Sequence, residues 1–331
     1  MDASGRHHTP PVARARPAEC FSPADWASLQ GVSRWKGLAL VAHAWAIIAA
    51  ALAAAVIFPN PLVWLLAIVV VGARQHGLAI LTHEAAHGLL HPDKRVNDQV
   101  GRWLCAAPVG VDLARYRAYH LAHHRYTQTA ADPDLSLATP FPITRASLRR
   151  KIMRDLTGRT FFKQRIAPLF ARRRGVRSLS GDGAEDGSVD VGGDSGAVLF
   201  FAWNAGFLLV LAALGAPAAF VIWGLGLATW FPLALRLRNI AEHACAPAAA
   251  DPFTHARTTR ANFVERFFLA PYAVNYHAEH HLFMYLPCYA LPRAHRLLAA
   301  RGLTPAMHIA PSYAAVLRRV TDAASPRVQP A

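Results

Sequence analysis

Four long stretches without a formal charge constrain this chain more than anything else in it. Residues 37 to 58 carry no Asp, Glu, Lys or Arg, and residues 62 to 82 break that rule only at Arg74, beside Gln75 and His76. Residues 197 to 214 and 217 to 235 are two further uncharged runs. A helix needs about 20 apolar residues to cross the hydrocarbon of a bilayer, so the chain is expected to be an all-α integral membrane protein with four spans. The links Pro59-Asn60-Pro61 and Gly215-Ala216 are short and uncharged, which folds the spans into two hairpins. Apart from Arg74, the Lys and Arg residues lie before, between or after the hairpins. Four spans put those segments on one side, and the positive-inside rule makes that side the cytoplasm. The expected location is therefore the inner or cell membrane, with both termini cytoplasmic. A net charge of +15 then reads as a membrane-surface signature rather than a nucleic-acid footprint, and no nucleic-acid partner is expected.

Residues 1 to 36 are polar and proline-rich, with no apolar segment of the signal-peptide kind. They read as a disordered N-terminal tail ahead of a membrane domain over 37 to 310, with a C-terminal tail from 311 to 331. Residues 180 to 196 are Gly, Asp and Ser rich and read as a mobile linker. The basic stretch from Arg145 to Arg177 reads equally as an interfacial amphipathic helix or as a solvated face. Cys20, Cys105, Cys245 and Cys288 form no C-x-x-C pair, so neither an iron–sulfur nor a zinc-ribbon spacing is present.

Against this apolar background the histidines are clustered. His83 and His87 stand four apart; His120, His123 and His124 form an H-x-x-H-H, and His277, His280 and His281 form another. His243 follows Asn239 by four residues, directly after the fourth run. Spacings of three and four place side chains on one face of a helix, so each cluster is expected to aim its rings at one point. Nine imidazoles are too many for one ion and comfortable for two. An all-nitrogen set with room for exchangeable ligands suits a redox metal, iron first. A cytoplasmic helical cap holding a His-rich dinuclear site completes the expected fold. Two iron ions with O2 as co-substrate could attack an unactivated C–H bond, which side chains alone cannot do.

The motifs H-E-A-A-H (83–87), H-L-A-H-H-R-Y-T (120–127) with D-P-D close behind, and N-Y-H-A-E-H-H-L-F-M-Y-L-P-C-Y-A-L-P-R-A-H (275–295) resemble those of the integral-membrane fatty acid desaturases. The likeness runs from about residue 40 to 300, and R-N-I-A-E-H (238–243) is most similar to the bacterial dihydrorhizobitoxine-desaturase-like members. The resemblance implies a non-haem di-iron centre on His83, His87, His120, His123, His124, His243, His277, His280 and His281, with Asn239 bound directly or through water. It also implies removal of two hydrogens from an acyl or lipid-like chain. The chain carries no nucleotide fingerprint and no haem segment, so electrons must come from a separate ferredoxin or cytochrome b5-type protein with its reductase.

Other readings are weighed beside this one. Membrane hydroxylases and ketolases of the alkane or carotenoid type use the same oxidant. H-E-A-A-H also satisfies the H-E-x-x-H pattern of zinc metalloproteases, but that reading leaves six or more histidines without a task. A metal carrier would place its ligands at the bilayer midplane. Glu84, Glu242 and Glu279 adjoin ligand histidines, and Asp132 and Asp134 follow the second box; these carboxylates are candidates to receive the far N–H of a metal-bound ring. His295 is a weaker candidate of the same kind. His43 reads as a core histidine, His76 as a packing or tunnel residue, and His7, His8, His91, His255 and His308 as surface residues.

Overall fold

The computed structural model describes residues 10 to 167, 170, 193 to 246 and 251 to 325. The linker expected at 180 to 196 lies outside the described residues as far as residue 192, as do His7 and His8. The described part is almost wholly helical; its only sheet is a parallel pair of two-residue strands, Thr258–Thr259 with Ile309–Ala310.

Four helical segments are long and apolar enough to cross a membrane: Lys36–Ile57, Pro61–His87, Ser195–Ala213 and Ala219–His243. We label the helices α1 (Pro17–Cys20), α2 (Pro23–Leu29), α3 (Lys36–Ile57), α4 (Pro61–His87), α5 (Lys94–Val100), α6 (Leu113–Tyr126), α7 (Arg145–Leu156) and α8 (Gly193–Ala213). They continue as α9 (Ala219–Ala228), α10 (Trp230–His243), α11 (Phe263–Phe268), α12 (His277–Leu282), α13 (Leu291–Ala300) and α14 (Tyr313–Arg319).

Helix α4 is the centre of the bundle. Of its most apolar window 56% is buried, against 28%, 22% and 39% for the other three segments, and it packs against α3, α9 and α10. Its start is set by Asn60, whose side chain accepts the Val63 N–H at 3.1 Å, with Pro61 as the first helical residue; a proline there lacks only an N–H that would be unpaired anyway. Its end is set by Gly88, left-handed at φ 76°, while the Leu89 N–H returns to the Glu84 carbonyl at 2.9 Å, the usual glycine-terminated cap. The fourth segment breaks between α9 and α10 at Thr229 (φ −120°, ψ −75°). Pro232 is the cause: it has no N–H for the Ala228 carbonyl and its ring crowds that group.

The crossing of α4 with the fourth segment is backbone-close. A Cβ at Gly72 would stand 2.6 Å from the Trp230 Cβ and 3.0 Å from the Gly226 carbonyl oxygen. Beside it, Gln75 donates to the Trp223 carbonyl at 2.9 Å, and the Trp223 indole donates to Asn204 at 2.7 Å. Arg74 is buried in protein: it donates to the Phe267 carbonyl and its guanidinium lies over the Phe267 ring. Partnering of this kind is what a cation at such depth requires. His76 bonds the Leu269 carbonyl at 3.1 Å and His43 the Tyr272 hydroxyl at 3.2 Å.

Parts of both segments expected as tails pack against the rest of the chain. From residue 10 the N-terminal stretch is placed, and Cys20, Phe21 and Leu29 of α1 and α2 and the link between them are buried against Leu282, Phe283 and Leu286. The Phe21 and Phe283 rings are 5.0 Å apart. Beyond residue 311, α14 inserts Tyr313 and Val316 among Ile240, Ala241 and Ala244. Polar, proline-rich composition concealed a handful of large apolar anchors in each tail.

Gly72→Leu is expected to overpack the crossing and cost about 1–3 kcal/mol, read as a lower thermal unfolding midpoint in detergent. Gly206→Leu, at a site where a Cβ meets nothing within 4 Å, should leave the midpoint unchanged. Equal midpoints for both variants would contradict this account of the crossing.

Candidate metal centre

Four helices bring the nine clustered histidines together. The last turns of α4 carry His83 and His87, α6 carries His120, His123 and His124, the end of α10 carries His243, and α12 carries His277, His280 and His281. Within the site they sort into two groups: His83, His87, His120, His124 and His280 in one, and His123, His243, His277 and His281 in the other. In each group one ring nitrogen from every residue lies within 4.8 Å of the rest. The expectation that each sequence cluster aims at one point is therefore corrected. The second and third boxes each divide, because rings three apart on a helix diverge by about 60° and rings four apart by about 40° the other way.

The contacts between nitrogens are short. Nε2 of His83 lies 2.9 Å from Nε2 of His280, which is also 2.9 Å from Nε2 of His124; His120 and His124 are 3.0 Å apart, and His243 and His277 2.9 Å. The opposite edges of several rings are tied to acceptors. His123 Nδ1 faces Asp132 at 2.8 Å, with Asp134 at 3.6 Å; His243 Nδ1 donates to the His255 carbonyl at 3.1 Å; His277 Nδ1 is 3.2 Å from Glu242, and His83 Nδ1 is 3.4 Å from Glu84. A proton held at Nδ1 by such a partner leaves Nε2 as a bare lone pair. Bare lone pairs 2.9 Å apart repel unless a cation sits between them. Ligand nitrogens about 2.05 Å from one ion and at right angles are themselves about 2.9 Å apart. His87 Nε2 and His281 Nε2 are buried without any hydrogen-bond partner, as ligand atoms would be. The donor set thus fits metal ions.

Electrostatics point the same way. Burial pushes His120, His124, His277, His280 and His281 well below the ordinary histidine range, with the neighbouring rings adding to the effect. Each is therefore neutral, the form that coordinates. Burial also disfavours the charged form of His123, but Asp132 and Asp134 outweigh it and raise that ring to about 9.

The carboxylates divide in role. Asp132 holds His123 and also accepts the Gln128 and Asp134 N–H groups at 2.7 and 2.8 Å. Asp134 takes the Tyr119 hydroxyl. Glu242 joins His277 to Arg238, and Glu84 joins His83 to the Cys288 N–H at 2.8 Å. Glu279 touches none of the nine rings; it pairs with His295 Nδ1 at 2.5 Å and accepts the Thr258 hydroxyl, fixing α12 from behind. Asn239 lines a small cavity of about 30 Å³ together with His120, His123, His243 and His277, room for about one water.

Sequence reasoning missed two supports. His255, expected on the surface, is buried, and its carbonyl receives both His243 and the Gln128 amide (2.7 Å). A backbone carbonyl leaves no signature in sequence. Buried Arg257 donates to the Ala241 and Ala244 carbonyls at 3.0 and 2.5 Å, capping the helix end that carries His243.

Comparison with known proteins was then decisive at the family level. A family model described as fatty acid desaturase matches residues 59 to 311. Among curated proteins, the dihydrorhizobitoxine desaturase of Bradyrhizobium elkanii is 25% identical over 245 residues, covering 71% of this chain and 68% of that one.

Asp132→Asn keeps the shape at His123 and removes the charge that holds its proton. Metal affinity is expected to fall about 10–100-fold, measured by competition with a chelator of known strength. An unchanged affinity would show that the Asp132 contact does not tune the site.

Proposed function

Because the chain belongs to the fatty acid desaturase family, we propose that it is an O2-dependent, di-iron membrane desaturase that places a double bond in an acyl or lipid-like substrate. The observation that carries this reading is the pair of buried poles at which imidazole nitrogens converge to 2.9–3.0 Å. One iron would be held by His83, His87, His120, His124 and His280, the other by His123, His243, His277 and His281, with Asn239 directly or through one water.

Two irons held there would supply the oxidising power for removing two hydrogens from adjacent carbons, with O2 reduced to two waters by those two hydrogens, two external electrons and two protons. The protein's own residues do the rest. Asp132 and the His255 carbonyl hold the outer edges of His123 and His243, and Glu242 lies beside that of His277, which fixes those ring planes and strengthens their donor nitrogens. Glu84, engaged by the Cys288 N–H, is a positioning group rather than the general base of a zinc hydrolase. Tyr116 stacks on His120 with centroids 5.4 Å apart and lines the cavities that reach the centre, where it walls off water.

The proposal includes the topology. The four spans form two hairpins in the inner or cell membrane, with the histidine cap and both termini cytoplasmic, the side on which the charges accumulate. Electrons come from a separate ferredoxin or cytochrome b5-type donor and its reductase, for which the basic face is the complementary surface.

The test is metal content of the purified protein by mass spectrometry after expression with iron, followed by product analysis with an electron donor. About two irons per chain and a new carbon–carbon double bond are expected. His280→Ala, which removes the ring touching both His83 and His124, should lower iron content and abolish product while the protein still inserts. One zinc and no iron would instead indicate hydrolysis through H-E-A-A-H, and a hydroxylated product would place the chain with the hydroxylases.

A further inference from the structure

A second, larger cavity of about 210 Å³ adjoins the small one at the histidine centre. Tyr116, Asp134, Leu137, Arg238 and Asn239 line both, so the larger space lies next to the metal poles across those five residues. Phe161, Phe200, Leu227 and Phe231 supply apolar lining. A dry apolar cavity of about 150 Å³ holds one benzene, so 210 Å³ accepts roughly eight to ten non-hydrogen atoms, about half of a long acyl chain.

The charge of the lining is one-sided. Lys151, Arg165, Arg236 and Arg238 face Asp134 as the lone carboxylate among the described lining residues. Arg236 is gripped by Asp155 at 2.5 and 3.0 Å, and Arg165 donates to the Gly110 and Val109 carbonyls at 2.8 and 3.2 Å. Arg238 is placed differently, because it alone of the four cations lines the cavity at the metal poles as well. Its Nε meets Glu242 at 2.5 Å, and one terminal nitrogen stands 3.5 Å from the Asn239 side-chain oxygen. A guanidinium has five N–H donors in a planar fork, and Glu242 engages one edge of it. Passing the middle of a hydrocarbon chain across the irons does not itself call for a half-buried cation there, whose desolvation is costly, and Glu242 meets only one edge of this one.

We propose that Arg238 is a substrate anchor: its fork binds the oxyanion, a carboxylate or a phosphate ester, of a short amphipathic substrate whose apolar body of about eight to ten non-hydrogen atoms fills the larger cavity. The reacting carbons then lie a few bonds from the anion. This rests on the desaturase reading above and adds the substrate class to it. The rival role, in which Arg238 only neutralises Glu242 and steadies His277, predicts no preference for anionic ligands.

The test is calorimetric titration of the purified full chain, iron-free and iron-loaded, with octanoate, hexyl phosphate and neutral octanamide. At least one anion is expected to bind about tenfold or more tightly than octanamide, and the tighter of the two names the oxyanion. Arg238→Gln should erase that preference while octanamide binding stays as it was. Arg238→Lys, which keeps the charge opposite Glu242, should leave an intermediate preference because a lysine cannot form the fork. Equal binding of all three ligands by the unsubstituted protein would overturn the proposal without any variant. So would an undiminished anion preference in Arg238→Gln, or loss of iron in Arg238→Gln and Glu242→Gln alike with the preference intact. An anion preference in a protein that takes up no iron would support the anchor and sink the oxidase reading; two irons with no preference would do the reverse.

Discussion

Nine imidazoles converging in a buried site, with burial holding His120, His124, His277, His280 and His281 neutral, form an arrangement that protein contacts alone do not stabilise. A buried nitrogen lone pair without a donor costs about 1–3 kcal/mol, and here ring nitrogens face one another at 2.9–3.0 Å, with the outer edge of His243 held by the His255 carbonyl. Cations at the two poles would convert that repulsion into coordination, and their binding free energy would become part of the folding free energy. The carboxylates behind the rings serve the same end. By keeping protons on the outer edges, Asp132 and Glu242 prevent the rings from satisfying one another through tautomer exchange.

The membrane helices deliver these rings by being too long. Helix α4 has 27 residues, about 40 Å at 1.5 Å per residue, against roughly 30 Å of hydrocarbon. In the proposed topology that excess carries its last turns, with His83 and His87, beyond the apolar layer, while the bundle fixes their bearing. Helix α10 carries His243 at its end. The break at Thr229 sets its direction, and Arg257 stabilises its end by taking up the carbonyls a terminating helix leaves unpaired. Side chains on rigid helices can be held within fractions of an ångström, which loops seldom achieve. The loop groups that orient rings, Asp132 at His123 and the His255 carbonyl at His243, are themselves tied down, the first by the Gln128 and Asp134 N–H groups and the second by the Gln128 amide.

What could be read from the sequence follows from which interactions are periodic. Apolar runs and histidine spacing are periodic, so the four long helices and the nine clustered rings were legible. Asp132, Glu242 and Glu84 were legible as neighbours of histidines, and each meets a ring of the cluster. Glu279 had the same signature but turns to His295 and Thr258, because adjacency in sequence does not say which side of a short helix faces the rings. Arg257 and the His255 carbonyl act across tertiary contacts from unremarkable local sequence. The packing of the N-terminal segment from residue 10 was not legible for a different reason: three buried anchors in some twenty mostly polar or small residues lie below any composition threshold, yet suffice when an apolar surface around Phe283 and Leu286 receives them.

The H-x-x-H-H pattern itself encodes two poles rather than one. On a helix the first and last histidines of the box lie about 40° apart, whereas the middle one is displaced by about 100° from the last. His120 and His124 accordingly share one pole and His123 goes to the other; in the third box His277 and His281 share a pole and His280 crosses. The two boxes are complementary, since each gives two rings to one pole and one to the other in opposite senses. His83 and His87 join the first pole as a pair four apart, bringing it to five rings. The second pole has four, and Asn239, four residues before His243 and lining the same small cavity, stands where a fifth donor or its water would complete the symmetry. A mononuclear site would have no use for the crossing histidines, so the unequal angles within each box are a physical argument for two ions.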